Sequence, residues 1–207
     1  MKILISILLT VLTTYQKGVY EDVGQIEMHC TPAAAHAVLD SLMADFTNDP
    51  EHLFAWAFYG TGEQKDDARK QGFIIHYDTV QYNPQTEVVY VTMTLFSPKG
   101  KMDKLHIEPV LWDHPATAAS PRTIYFDIHE FKNLIKWIDA KLELETSDTT
   151  QVLHITTHCK FGWFFNLFIS RKMYRNTVEW RVEQFLENLR CKAEGKPLRQ
   201  INVELEK

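Results

Sequence analysis

The sequence predicts an α+β domain, an antiparallel sheet covered on one face by a long C-terminal helix. The first sign is the stretch Ser170 to Glu194. Leu167, Tyr174, Val178, Val182, Phe185 and Leu189 recur at steps of 7, 4, 4, 3 and 4, which is one stripe on a 3.6-residue helix. Lys172, Asn176, Glu179, Glu183, Glu187 and Arg190 fall on the other side. The second sign lies upstream, where six segments of period two follow one another with short turns. Parallel strands need long crossovers, so consecutive short-turn strands imply an antiparallel sheet. The third is size: a helix of that length spans about 36 Å at 1.5 Å per residue and needs a broad apolar surface to lie on, which the sheet can supply.

The elements follow in order. Gln25 to Cys30 alternates around Ile26 and Met28 as a short strand. Thr31-Pro32 opens a helix, with Thr as N-cap and Pro at the first helical position. Ala33 to Phe46 continues it, with Val38, Leu39, Leu42, Met43 and Phe46 on one face. Asn48-Asp49-Pro50 breaks the helix and starts a second, Glu51 to about Phe58. Gly60, Gly62 and the charged run Glu63 to Lys70 form an exposed turn. Phe73 to Tyr82 and Glu87 to Phe96 are strands joined by Asn83-Pro84-Gln85. After the Ser97-Pro98-Lys99-Gly100 turn, Lys104 to Trp112 is a strand that Pro109 moves toward a sheet edge. Asp113 to Pro121 is an Ala- and Pro-rich loop, and Arg122 to Glu130 alternates again. Phe131 to Ile138 is a turn or short helix. From Ile138 a strand with Ala140, Leu142 and Leu144 on one face pairs, through a Thr146–Thr150 hairpin, with Gln151 to Cys159. Trp163-Phe164-Phe165 and Phe168 then feed the last helix, which Ser170 caps and Gly195 with Pro197 stops.

Composition narrows the function. The 207 residues, 45% hydrophobic and 24% charged, suit one globular domain. A net charge of −5 with no basic run argues against nucleic acid as a partner. Cys30, Cys159 and Cys191 make neither a disulfide framework nor a zinc motif. Lys2 precedes an apolar run, Ile3 to Leu12, that resembles a secretory leader. It is too short to span a bilayer, which needs about 20 apolar residues. Residues 1–17 are therefore expected to be a leader or short membrane anchor, with membrane association through residues 3–14. That favours an exported or membrane-anchored protein over a cytoplasmic one. The alternative is that the run is a buried element of the domain. No GxSxG, HExxH, P-loop or dinucleotide fingerprint is present. The expected cofactor is none, and the expected catalytic residues and metal ligands are none.

Strand, two helices, six strands and a long terminal helix resemble the helix-grip fold of the START-like superfamily, the SRPBCC or Bet v 1-like group. The residues that carry the resemblance are Thr31-Pro32 after the first strand, the Ser147-Asp148 hairpin late in the sheet, and the aromatic-to-amphipathic helix of residues 163–194. It covers residues 24–195, leaving 196–207 as a tail. The resemblance implies a curved antiparallel sheet of about seven strands gripping the C-terminal helix. It also makes the first and last strands neighbours, which would allow a Cys30–Cys159 disulfide.

In such a sheet the inward faces and the helix cannot all touch, and a cavity results. Its expected lining is Trp56, Tyr77, Met93, Phe126, Trp163, Tyr174, Val178 and Val182, with a mouth near Trp56 and the 97–121 loop. Apolar walls with few polar groups are what small-molecule pockets have. The expected function is binding of a lipid or other apolar small molecule without catalysis. A cyclase- or hydratase-like enzyme is the alternative and would use His76, Tyr77, Asp127 or His129 as acid–base groups. A filled, envelope-associated structural or interaction module is a third. Among the nine histidines, His106 with Glu108, Asp113 and His114 is a nominal metal set, although solvated strand-face residues are the default for that pattern. His154 and His158 are about 13 Å apart on a strand and cannot share an ion directly. The sequence assigns no oligomeric state.

Overall fold

A computed structural model describes residues 19–58, 74–97, 100–131, 135–148, 150–163, 174 and 180–198. The apolar N-terminal run, the turn at 60–70, Ser170 and Val178 lie outside the described residues. The sheet has seven strands: β1 (Val19–Met28), β2 (Ile74–Asn83), β3 (Val88–Ser97), β4 (Gly100–His114), β5 (Arg122–Phe131), β6 (Ile135–Thr146) and β7 (Gln151–Phe161). Every pairing is antiparallel, in the order β1-β7-β6-β5-β4-β3-β2. Between β1 and β2 come α1 (Pro32–Asn48) and α2 (Pro50–Leu53), the latter running into a π-helical turn at Phe54–Phe58. The described part of the last helix is α3, Trp180–Ala193.

Local chemistry sets the helix ends. Thr31 accepts a hydrogen bond from the Ala34 N–H, with Pro32 next in line, so one orphan donor is satisfied and the proline N–H is not missed. Asp49 caps α2 in the same way through the His52 N–H. At the C-terminus of α3, Gly195 sits at φ 64. The Lys196 N–H reaches the Cys191 carbonyl at 2.7 Å and the Gly195 N–H the Lys192 carbonyl at 3.3 Å. That is a Schellman closure, which needs a left-handed residue and therefore favours glycine.

Several expectations are corrected. β1 starts at Val19, five residues before the expected domain boundary. Leu198, assigned to the tail, packs against the core. β4 is an interior strand despite Pro109. It pairs with β3 over Gly100–Ile107 and with β5 over Glu108–His114. Pro109 lies just past the last β3 pair, where β4 is locally an edge and a missing N–H is tolerated. β5 runs on to Phe131 and β6 begins at Ile135, so the segment expected as turn or short helix is largely strand. The Cys30–Cys159 bond is ruled out by register. β1 and β7 are neighbours, but Cys159 pairs with Tyr20, at the opposite end of β1 from Cys30. The separation along the strand is roughly 30 Å, against the 7 Å limit of a disulfide, and both thiols are free.

The sheet curves. Register shifts at Tyr77/Thr79, Met93/Leu95 and Ile135/Trp137 put bulges in both halves, and bulges bend and twist the strands that carry them. α1 and α2 lie against the β2–β4 half and α3 against β1. Gly24 explains the close seat of α3. A Cβ there would stand 3.1 Å from Leu186 Cδ1 and 3.2 Å from Val182 Cγ1. Further along, the His29 N–H donates to Glu194 at 2.8 Å. From Val182 to Glu194 α3 advances about 18 Å, and from Gly24 to His29 β1 advances about 17 Å. Helix and strand therefore run side by side in step.

Candidate functional site

Register sorts the strand residues into two faces. On the inner face the pairings align Leu153 with Leu144 and Arg122, then Ile155 with Leu142, Ile124 and Asp113. The next row is Thr157, Ala140, Phe126 and Leu111, and the next Cys159, Ile138, Ile128 and Pro109. Beyond the β4 switch, Ile107 aligns with Val91 and Val80, and Leu105 with Met93 and Tyr77.

Burial divides this face. Leu153, Leu144, Ile155, Leu142 and Ile124 are all buried, with relative exposure of 5% or less. This is the end that α1 closes. Arg122 there donates to the His36 carbonyl at 3.1 Å and forms a two-pronged ion pair with Asp113. Burial works against its charge, but Asp113 and Asp40 more than offset that and raise the guanidinium pKa. Further along, the same face keeps accessible surface. It is mixed: Thr157, Cys159, Ile128 and Pro109 are buried, whereas Ala140, Phe126, Leu111, Ile138, Leu105 and Tyr77 are half-buried and pack against the core.

The expected lining residues divide accordingly. Met93 (4% exposed) and Val182 (8%) face the interior, and Tyr77 and Phe126 line its accessible part. Tyr174 is buried at the entrance to β1, its ring stacked on Tyr20 at 4.6 Å and edge-on to Phe161 at 6.2 Å. Trp56 is not at a mouth. It is buried, donates through Nε1 to Asp45 at 2.9 Å, lies under the Lys192 ammonium at 3.8 Å, and its carbonyl accepts from Asn188 at 2.7 Å. These contacts lock the π turn to the C-terminal half of α3, which is the sealed end. Trp163 is corrected as well, since it is 76% exposed and does not face the interior. Val178 lies outside the described residues.

Among the described side chains, the acid–base candidates of the enzyme reading do not share one face. Tyr77 is on the inner face, but His76 is exposed beside Asp78. Asp127 alternates with the inner residues Phe126 and Ile128 and so points to the other face. The side chain of His129 lies outside the described residues. The nominal metal set also separates. His106 meets Glu108 at 3.0 Å, Asp113 is held by Arg122, and His114 packs edge-on to Tyr125. His158 pairs with Asp139 at 2.8 Å and His154 with Glu145 at 3.3 Å. Among the described residues no group of three or more His, Cys, Asp or Glu is placed to hold a metal ion, and no helix is long and apolar enough to cross a membrane.

Sequence reasoning missed Gly24, Asn188 and Arg181. Gly24 interrupts an alternating strand, which is a recognised sign of close backbone approach. Arg181 and Asn188 flank the apolar stripe of the last helix and look solvated in sequence. Only the packing of the π turn shows Asn188 to be fully buried. Burial pulls the Arg181 guanidinium below its ordinary range, an effect that the electrostatic influence of Tyr77 only partly opposes.

No family model matches the sequence, and no curated protein matches it. Solved structures do. A conserved protein from Geobacillus kaustophilus superposes with a TM-score of 0.51 at 10% identity, covering 85% of this chain and 96% of that one. The truncated norcoclaurine synthase from Thalictrum flavum gives 0.50 at 9% identity, covering 86% and 96%. Likeness at this identity shows the fold. The chain has the helix-grip fold of the START-like (SRPBCC, Bet v 1-like) group, a curved seven-stranded antiparallel sheet with a C-terminal helix.

Proposed function

We propose that this protein holds a lipid or other apolar small molecule between the inner sheet face and its last helix, without transforming it. The observation that supports this reading is that Ala140, Phe126 and Leu111 on the inner face are only half-buried, one pleat away from the buried Leu142 and Ile124, with Thr157 at the end of the same row buried. The separation of His76 and Asp127 from Tyr77 favours binding over cyclase-like chemistry, which needs acid and base groups converging on one substrate.

The test is uptake of a neutral fluorescent naphthylamine probe, together with mass spectrometry of lipids that co-purify with the native protein. The wild type should bind the probe at micromolar concentration. Ala140→Trp, which fills the accessible row, should abolish uptake while the far-ultraviolet circular dichroism stays native. A wild type that takes up no apolar probe would overturn the binding reading and leave the filled module in its place.

A further inference from the structure

We infer that the end of the sheet where β1 enters is a docking surface for a bilayer with anionic head groups. The register gathers that end. Val19 opens β1 opposite Lys160, Lys160 also pairs with Trp137, and Ile135 opens β6 opposite Phe161, the last residue of β7. The Tyr20 ring meets the Phe161 ring edge-on at 5.6 Å. Trp163 follows two residues after Phe161 and is 76% exposed. It lies at most about 11 Å from Lys160 along the chain. Trp137 in the same corner is half-buried. An exposed indole leaves a large apolar ring in water. At a bilayer surface the ring enters the interface while its N–H stays among polar head groups.

Charge selects the same end. Residues 19–20, 135–138 and 159–163 carry two charged side chains, Lys136, which is exposed, and Lys160, which is half-buried. One pair further in, Glu21 and Asp139 flank His158, at 3.9 and 2.8 Å. The whole chain has a net charge of −5. An anionic surface therefore repels most of it and admits a corner whose cations come first, within a Debye length of about 8–10 Å. The neighbouring sequence makes a bilayer the occupant. The apolar run Ile3 to Leu12 joins the domain at Val19, beside Lys160. Seven steps of chain separate Leu12 from Val19, at most about 25 Å. The run is too short to span a bilayer. A single marginal anchor needs a second contact for stable association, and Trp163 with the two lysines supplies it.

Co-sedimentation of the full chain with vesicles tests this, using phosphatidylcholine alone and phosphatidylcholine mixed with phosphatidylserine. The full chain should bind the mixed vesicles more tightly than the neutral ones. Trp163→Ala should weaken binding to both by about tenfold. Lys136→Glu and Lys160→Glu should each weaken binding to the mixed vesicles by about fivefold or more and leave binding to neutral vesicles unchanged. Trp112→Ala should bind like wild type. Trp112 is 40% exposed and stacked on Tyr125, but it stands four residues along β4 from Glu108, the residue in register with Lys160 and Val19. If Trp163→Ala does not fold, the lysine variants still decide. A full chain that stays off both kinds of vesicle overturns the proposal. So does wild-type binding by Trp163→Ala and both lysine variants, which would leave the apolar run as the sole anchor. A loss in Trp112→Ala as large as in Trp163→Ala would make the outer sheet face the contact and overturn the choice of this end.

Discussion

Gly24→Val should loosen the contact between the last helix and the sheet. A Cβ at position 24 would lie 3.1 Å from Leu186 Cδ1, 3.2 Å from Ile155 Cγ2 and 3.2 Å from Val182 Cγ1. For alanine these neighbours must give by only a few tenths of an ångström. Against that stands the gain of about 0.5–1 kcal/mol from replacing a strand glycine, which loses more chain entropy on folding. Gly24→Ala should therefore be close to neutral. Valine adds two methyl groups to a space already closed on three sides, and overpacking of this kind costs about 1–3 kcal/mol. At about 2–4 °C per kcal/mol for a chain of 207 residues, the melting temperature should fall by roughly 2–12 °C. Val182→Ala in the same chain should recover part of the loss, because the two sites touch and their effects should not add. Thermal unfolding followed by circular dichroism measures all of these variants. If Gly24→Val melts within about 1 °C of wild type, α3 does not depend on a bare backbone at Gly24 and the reasoning fails.

Phe185→Asp should unfold the domain, because it puts a charge into the helix–sheet interface where Phe185 is 8% exposed. Glu183→Ala, on the exposed side, should shift stability by less than about 0.5 kcal/mol, and equal midpoints for the two would refute the stripe. Lys196 and then the His29 N–H hold the Glu194 carboxyl below its ordinary 4.5. A depressed folded pKa contributes stability above the unfolded pKa that is lost as pH falls through the folded one. Glu194→Gln should therefore melt below wild type at pH 7, with the gap closing on acidification below 4.5, and a gap independent of pH would contradict this. Burial, then Asp139, pushes the Cys159 thiol up to about 12. Native Cys159 should resist alkylation at pH 8 and react once the protein is denatured, and equal rates in both states would refute its burial. Deleting residues 1–17 leaves every pair of the β1–β7 ladder, which begins at Val19, in place. The melting temperature should hardly move, and a loss of folding would assign the apolar run to the core.

The sequence by itself determined the order and type of the elements. Short-range chemistry fixes these: the Thr31-Pro32 cap, the period-two runs, and the Gly195 closure are each decided by residues a few positions apart. The count of six strands after the helices followed from turns such as Asn83-Pro84-Gln85, since a short turn admits only an antiparallel return. The inward set Met93, Tyr77, Phe126 and Val182 was legible for the same reason, because alternation and helical stripes assign faces. Tertiary structure decided whatever depends on register and on which elements meet. Cys30 and Cys159 belong to neighbouring strands, yet the β1–β7 register places them at opposite ends, and nothing local specifies a register. Trp56 has the composition of a pocket residue, but Asp45, Asn188 and Lys192, scattered over the chain, converge to seal it. Trp163 belongs to an aromatic run that reads as interior, and the fold leaves it exposed. Pro109 is tolerated inside the sheet because β4 changes partners beside it. Each of these depends on contacts distant in sequence, and such contacts exist only after the chain has closed.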